Sequence, residues 1–196
     1  LSLSPQNEPF DLVDLRFQLK KVQLSYFHAT LLGSDTARYL VGHRLDFSIW
    51  KRFRFGFYET LVYGDRQVQF GYLNPLLPFH IMEHQYGDRD NNTFGVDFVW
   101  LPGGGFRLDG EIFVDDLNLS EPITSYWGNK LALRGKIHWA QAFGLKPLQL
   151  MLGYVRVDPW VYTHHLPKNV YAHYGESIGS PFGPNADQLR ILKPHR

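Results

Sequence analysis

Apolar and polar residues alternate with a period of two in segment after segment of this chain, and that constrains it to β-strands with one greasy face. From Arg44 to Trp50, Leu45, Phe47 and Ile49 share one phase and Arg44, Asp46 and Ser48 the other. Phe53, Phe55 and Phe57 alternate with Arg54, Gly56 and Tyr58. Phe94, Val96, Phe98 and Trp100 oppose Gly95, Asp97 and Val99, and Leu108, Gly110, Ile112 and Val114 oppose Arg107, Asp109, Glu111, Phe113 and Asp115. Leu131, Leu133, Gly135, Ile137 and Trp139 do the same against Lys130, Ala132, Arg134, Lys136 and His138, as do Leu148, Leu150, Leu152 and Tyr154 against Gln149, Met151 and Gly153. Helical spacing is not sustained anywhere, so the fold class reads as all-β.

Alternation fits a soluble sandwich and a membrane barrel equally, and loop lengths separate the two. Short connections lie at Lys51-Arg52, at Leu101–Gly105 and at the Gly144/Pro147 turn. Long ones occupy 64–93, 116–129 and 158–188. With the strands taken as up-and-down neighbours, the short turns fall at one end and the long loops at the other, as in outer-membrane barrels. Gln67 to Leu73 also alternates, and it is placed inside the first long loop because a full strand there would reverse the parity of every later loop. Leu12 to Leu32 reads as one ragged strand bulged at Lys20-Lys21. About eight or nine strands can be counted. The chain is expected to be a transmembrane antiparallel up-and-down β-barrel, or a contiguous segment of a larger one, since Leu189 to Lys193 reads as another strand beginning.

The aromatics, 16% of the residues, support the same expectation. Trp50, Phe53, Trp100, Phe106 and Trp139 sit beside the short turns, while Tyr63, Trp127, Tyr154 and Trp160 lie toward the long loops. Two aromatic belts flanking an apolar band of roughly 25 Å suit the two interfaces of a bilayer. The opposite phase supplies charges of both signs for a polar lumen, among them Arg44, Asp46, Arg107, Asp109, Glu111 and Arg134. No apolar run reaches the roughly 20 residues of a spanning helix. A formal charge of +1 gives no basic excess for nucleic acid, and the absence of cysteine removes disulfides, thiolate metal sites and cysteine nucleophiles. Leu1 to Pro9 is no signal peptide and does not begin with methionine, so the chain reads as a mature product or a fragment.

The loops carry a series of short motifs in order: Asn74-Pro-Leu-Leu-Pro-Phe-His80, Glu83-His-Gln-Tyr-Gly-Asp-Arg-Asp-Asn-Asn-Thr93 running into Phe94-Gly-Val-Asp-Phe98, then Asp115-Asp116, Tyr162-Thr-His164, Asn169-Val-Tyr-Ala-His173 and Ile178 to Asp187. Together, from about Tyr58 to Leu192, they resemble the capsule-assembly (Wzi-like) outer-membrane β-barrel family. The resemblance implies an outer-membrane location and a non-enzymatic role in holding polysaccharide at the cell surface. The expected partners are membrane lipid, a surface polysaccharide and envelope proteins, and no cofactor or metal is assigned.

Aromatic faces beside amide and imidazole groups suit sugar rings, which stack through their C–H faces and hydrogen-bond through their hydroxyls. The candidate glycan contacts are Asp88, Arg89, Asp90 and Asn91 in the first long loop and Trp160, Tyr162, His164, Tyr171, His173, Asn185 and Asp187 in the last. Other readings of the loops are weaker. His80-Ile-Met-Glu-His84 matches an H-x-x-E-H zinc-peptidase pattern, which needs a helix and a third ligand, in a segment bracketed by Pro75, Pro78 and Gly87. Asp88 to Asn92 could ligate calcium but lacks EF-hand spacing, and a turn capped by Asp and Asn is the simpler reading. Asp88 with Asp90, or Asp115 with Asp116, would make a glycosidase pair only at a separation that sequence does not give. An outer-membrane channel or envelope scaffold without glycan binding, and a loop-based metal-dependent hydrolase, are the alternatives to the polysaccharide role.

Overall fold

The computed structural model describes residues 3–4, 7–118, 120–123 and 126–192. Nine strands form one antiparallel sheet: β1 (Asp11–Leu19), β2 (Val22–Leu31), β3 (Arg38–Trp50), β4 (Phe53–Gly64), β5 (Asn91–Gly103), β6 (Phe106–Asp116), β7 (Lys130–Ala140), β8 (Gln149–Val157) and, beside β8, β11 (Ala186–Leu192). Two-residue strands β9 (Ala172–His173) and β10 (Glu176–Ser177) pair within the β8–β11 connection. One short helix, α1 (Phe79–Gln85), interrupts the β4–β5 connection. The chain is therefore all-β, as the alternation requires. No closed barrel forms among the described residues: β1 and β11 each keep one unpaired edge. In a nine-strand meander these edge strands run in the same direction.

Every short turn lies at one end of the sheet, at residues 20–21, 51–52, 104–105 and 141–148, and the longer connections 32–37, 65–90, 117–129 and 158–185 lie at the other. Gln67–Leu73 forms no strand; Phe70–Leu73 is a single 3-10 turn. The ragged first strand needs correction. Lys20 adopts a left-handed φ of 53°, and the chain reverses there, so Leu12–Leu32 is a hairpin of β1 and β2 with Leu19 opposite Val22. A tight turn shifts the apolar phase by an odd step, as a bulge does, and the two look alike in sequence.

The register places the apolar phases of all nine strands on one face. One row runs Leu45, Phe57, Val96, Ile112, Leu133 across five strands, and another runs Trp100, Leu108, Ile137, Leu152, Ile191. Over the half of this face nearer the short turns, nothing covers these side chains among the described residues: Ile137 is 42% exposed, Leu152 43% and Phe98 38%. The opposite face carries the charges.

Near the long-loop end the charged face is covered, and over β2–β4 the apolar face is covered as well. On the charged face, residues 158–185 lay Val161, Tyr162, Tyr171 and Ile178 over Leu40, Val62, Phe113 and Ala132. On the apolar face, residues 65–90 lay Tyr72 and Phe79 over Tyr26, Val41, Leu61 and Tyr63. Tyr63 is thus a core residue with no exposure and does not belong to an aromatic belt. Burial on both sides also explains why Leu40 and Val41, adjacent in sequence, are both fully buried.

Candidate functional site

The charged face is organised as ion pairs along neighbouring strands. Arg44 on β3 bridges Asp46 at 2.6 Å and Asp97 on β5 at 2.5 Å, passing over Gly56 on β4, where a Cβ would lie 2.1 Å from the guanidinium. Arg107 pairs with Asp109 and Arg134 with Glu111, each at 2.6 Å. Tyr58 donates to Glu111 at 2.7 Å. Its ring lies across Gly95, whose Cβ, if present, would come within 2.0 Å of the ring, so no larger residue fits there with the ring in place. Paired charges of this kind are half-hydrated and mutually compensated, which keeps a polar wall stable without a partner.

The covers are held by buried polar clamps. Glu59, 1% exposed, accepts from the backbone amides of Phe79 at 2.9 Å and His80 at 2.7 Å and from Asn92 Nδ2 at 2.9 Å, and it pairs with His43 at 2.8 Å. His43 stacks on Phe79 with ring centroids 4.3 Å apart. Tyr72 donates to Asp90 at 2.6 Å, and Arg66 pairs with the same carboxylate. On the other cover, Arg38 donates to the carbonyls of Lys168 and Val170, and Asp115 accepts from the Tyr162 amide at 2.6 Å. The two covers also meet: Asn91 donates to the Asn169 carbonyl at 3.0 Å, and Asn169 donates to the Arg89 carbonyl. Glu59 was legible as an anomaly, being the one carboxylate in the apolar phase that follows Phe53, Phe55 and Phe57. Arg38, Asp115 and Asn169 carry no comparable signal, because their partners are distant backbone atoms.

The eleven candidate glycan residues do not converge on one patch. Tyr162 and Tyr171 are 3% and 0% exposed; their rings stack on each other with centroids 5.8 Å apart, and Tyr162 also closes over Gly179, where a Cβ would lie 2.2 Å away. Their faces are spent on the core and cannot hold a sugar in this arrangement. His173 is buried too, accepting from the Leu32 amide at 3.1 Å and facing the Pro9 carbonyl at 3.2 Å. Asp90 and Asn91 serve the clamps described above. The residues left open are Asp88, which faces His84 at 2.9 Å, Arg89, the half-buried His164, and a cluster at the β8–β11 end. There Trp160 is 62% exposed, the Asn185 backbone N–H donates to the Asp158 carbonyl at 3.2 Å, and Asp187 accepts from Tyr154 at 2.6 Å.

The His80-to-His84 motif does form a helix. His80 and His84 share its outer side with ring centroids 4.3 Å apart, whereas Glu83 turns inward and is buried. Burial, together with the charges of Asp90 and Asp88, pushes the Glu83 carboxyl up to about 8. The carboxylate therefore does not stand beside the two imidazoles as a general base would. No group of three or more His, Cys, Asp or Glu side chains is placed to hold a metal ion among the described residues. Compared with family models, curated proteins and solved structures, the chain matches none.

Proposed function

We propose that this chain forms a lipid-facing wall of a transmembrane β-barrel in a bacterial outer membrane, with long loops that bind or anchor polysaccharide without catalysis. One observation carries the first half: an uncovered apolar face runs across nine strands while ion pairs line the other. Water-soluble proteins rarely leave so continuous an apolar surface bare, whereas hydrocarbon selects it. Leu131 to Trp139 on β7 spans nine residues, the length a tilted strand needs to cross. Exposed Trp50, Trp100 and Phe143 lie near the short turns, and Trp127 and Trp160 near the long loops, the distribution expected of interfacial belts.

The polysaccharide role falls to the exposed cluster of Trp160, Asn185 and Asp187, with Arg89 and Asp88 on the other cover. An open channel is the weaker reading, because residues 158–185 lie on the charged face at its long-loop end. Gel migration with and without boiling tests the wall: an outer-membrane barrel resists detergent unfolding until heated, so an identical band in both lanes would end the membrane assignment. For the loops, Trp160→Ala should abolish retention on a capsular polysaccharide array while leaving the heated shift intact. Unchanged binding would remove the glycan assignment alone.

A further inference from the structure

On the charged face, β7, β8 and β11 floor a cavity of about 240 Å³, and the segment 179–182 overhangs it. The register sets rows of side chains there: Glu111, Arg134, Val155 and Gln188 form one, and Asp109, Lys136, Gly153 and Arg190 the next. Gly153 leaves a gap in the second row, because a Cβ there would meet nothing nearer than the Gly135 carbonyl at 4.0 Å. Lys136 and Arg190 flank that gap from the two neighbouring strands. The acids of these rows are already engaged, Asp109 by Arg107 and Glu111 by Arg134, each at 2.6 Å. Among the described residues Lys136 and Arg190 form no ion pair, and no Asp or Glu lines the cavity. The Arg190 guanidinium lies over the Phe182 ring, 5.3 Å from its centroid, a contact that leaves its N–H groups to donate elsewhere. The overhang is held in place: the Gly183 backbone N–H donates to the Ser180 carbonyl at 3.0 Å, and that of Ser4 to the Ile178 carbonyl at 2.7 Å.

Two cations without carboxylate partners on either side of an open gap call for one anion, and the paired N–H groups of a guanidinium match the two oxygens of a carboxylate. Most of the remaining lining is apolar, with Met151 and Val155 below and Leu3, Pro181 and Phe182 above. A sugar ring needs hydrogen-bond partners around its whole rim, and besides the cations the polar side chains here are those of Ser4, Ser180 and Gln188. An apolar pocket with a few convergent polar groups is the usual form of a small-molecule site, and this one falls below the roughly 300 Å³ at which drug-sized ligands begin to fit. We propose that the cavity binds a small organic carboxylate with an apolar body, the carboxylate between Lys136 and Arg190 over Gly153 and the body against Met151, Val155 and Phe182. The site belongs to the face that the wall proposed above turns away from lipid, so a water-soluble molecule reaches it, and its test does not depend on what the opposite face meets.

The probe is para-fluorohydrocinnamate, titrated by fluorine NMR against the full chain in neutral maltoside micelles, with protein-free micelles as the blank. It should bind with a Kd of roughly 1 mM or below, and the corresponding alcohol at least about five-fold more weakly. Lys136→Gln and Arg190→Gln should each weaken the acid by about five-fold. Gly153→Val places a side chain that suits a strand into the open gap and should abolish binding while the far-UV circular dichroism stays unchanged. If one of these variants does not fold, the others and the comparison of acid with alcohol decide. No binding of the acid, equal binding of acid and alcohol, or affinity unchanged in the folded variants overturns the site. Displacement of the probe by acetate as effective as by unlabelled hydrocinnamate would make this a simple anion site and overturn the apolar body. Tighter binding of glucuronate would make it an acidic-sugar site and overturn the assignment in the same way.

Discussion

Ile112→Arg distinguishes a hydrocarbon-facing sheet from a water-facing one by the size of its penalty. Ile112 lies mid-strand on β6, flanked by Val96 and Leu133, and is 46% exposed. In water about half of its side chain is already hydrated, so replacement forfeits only about 1 kcal/mol of burial, part of which the aliphatic stem of arginine restores. Against hydrocarbon near mid-depth the same change costs about 2–4 kcal/mol. Ile49→Arg is the internal control: Ile49 is 42% exposed on the same apolar phase but beside the 51–52 turn, where the interfacial penalty falls to about 0–1 kcal/mol. Both variants would be folded into short-chain phosphatidylcholine vesicles and unfolded reversibly in guanidinium, with tryptophan emission as the probe. The expected outcome is a gap of about 2 kcal/mol or more between them. Equal penalties, both at or below about 1 kcal/mol, would refute the claim that this face meets lipid.

Three further outcomes follow from the clamps and the packing. Glu59→Ala leaves His43, Asn92 and two amides of α1 without their acceptor and should cost about 3 kcal/mol, seen as fast hydrogen exchange at Phe79 and His80; retained protection there would contradict the clamp. Glu83 has a folded pKa raised from 4.5 to about 8, so the folded state holds a proton that the unfolded state releases. Stability is then greatest below about pH 4.5 as far as this group is concerned, and it falls as pH rises toward 8 by about 2 kcal/mol once partial hydration is allowed for; Glu83→Gln should flatten that slope in denaturant midpoints. Gly95→Ala should displace the Tyr58 ring and cost about 1–3 kcal/mol, and Tyr58→Phe should be milder if the ring, rather than its bond to Glu111, is what the site accommodates.

The strands with one bare face were legible because their alternation is uninterrupted: β6 and β7 read directly from Leu108 to Val114 and from Leu131 to Trp139. The upper part of β3 was not, since Leu40 and Val41 are buried on opposite faces and the period-2 contrast vanishes where both faces are covered. The Lys20-Lys21 hairpin lacks the Asn-Gly or Gly-containing turn that normally announces one. In the last loop, composition pointed to aromatics without telling what their rings would meet. Tyr162 and Tyr171 have the same chemistry whether they stack on a sugar or on each other, and only long-range folding onto Phe113 and Thr60 decides. Trp160, two residues before Tyr162, went the other way and stays exposed. Sequence spacing could not part them.

On the membrane reading proposed above, the strap of residues 65–90 projects from the face that would meet lipid. Such a ledge would let the sheet slide into a bilayer only from its unencumbered short-turn end, and only until the ledge met the surface. Glu59, which pins the ledge, would then act as a depth stop: cutting it would free the protein to ride at a variable height, blurring which aromatics sit level with the water.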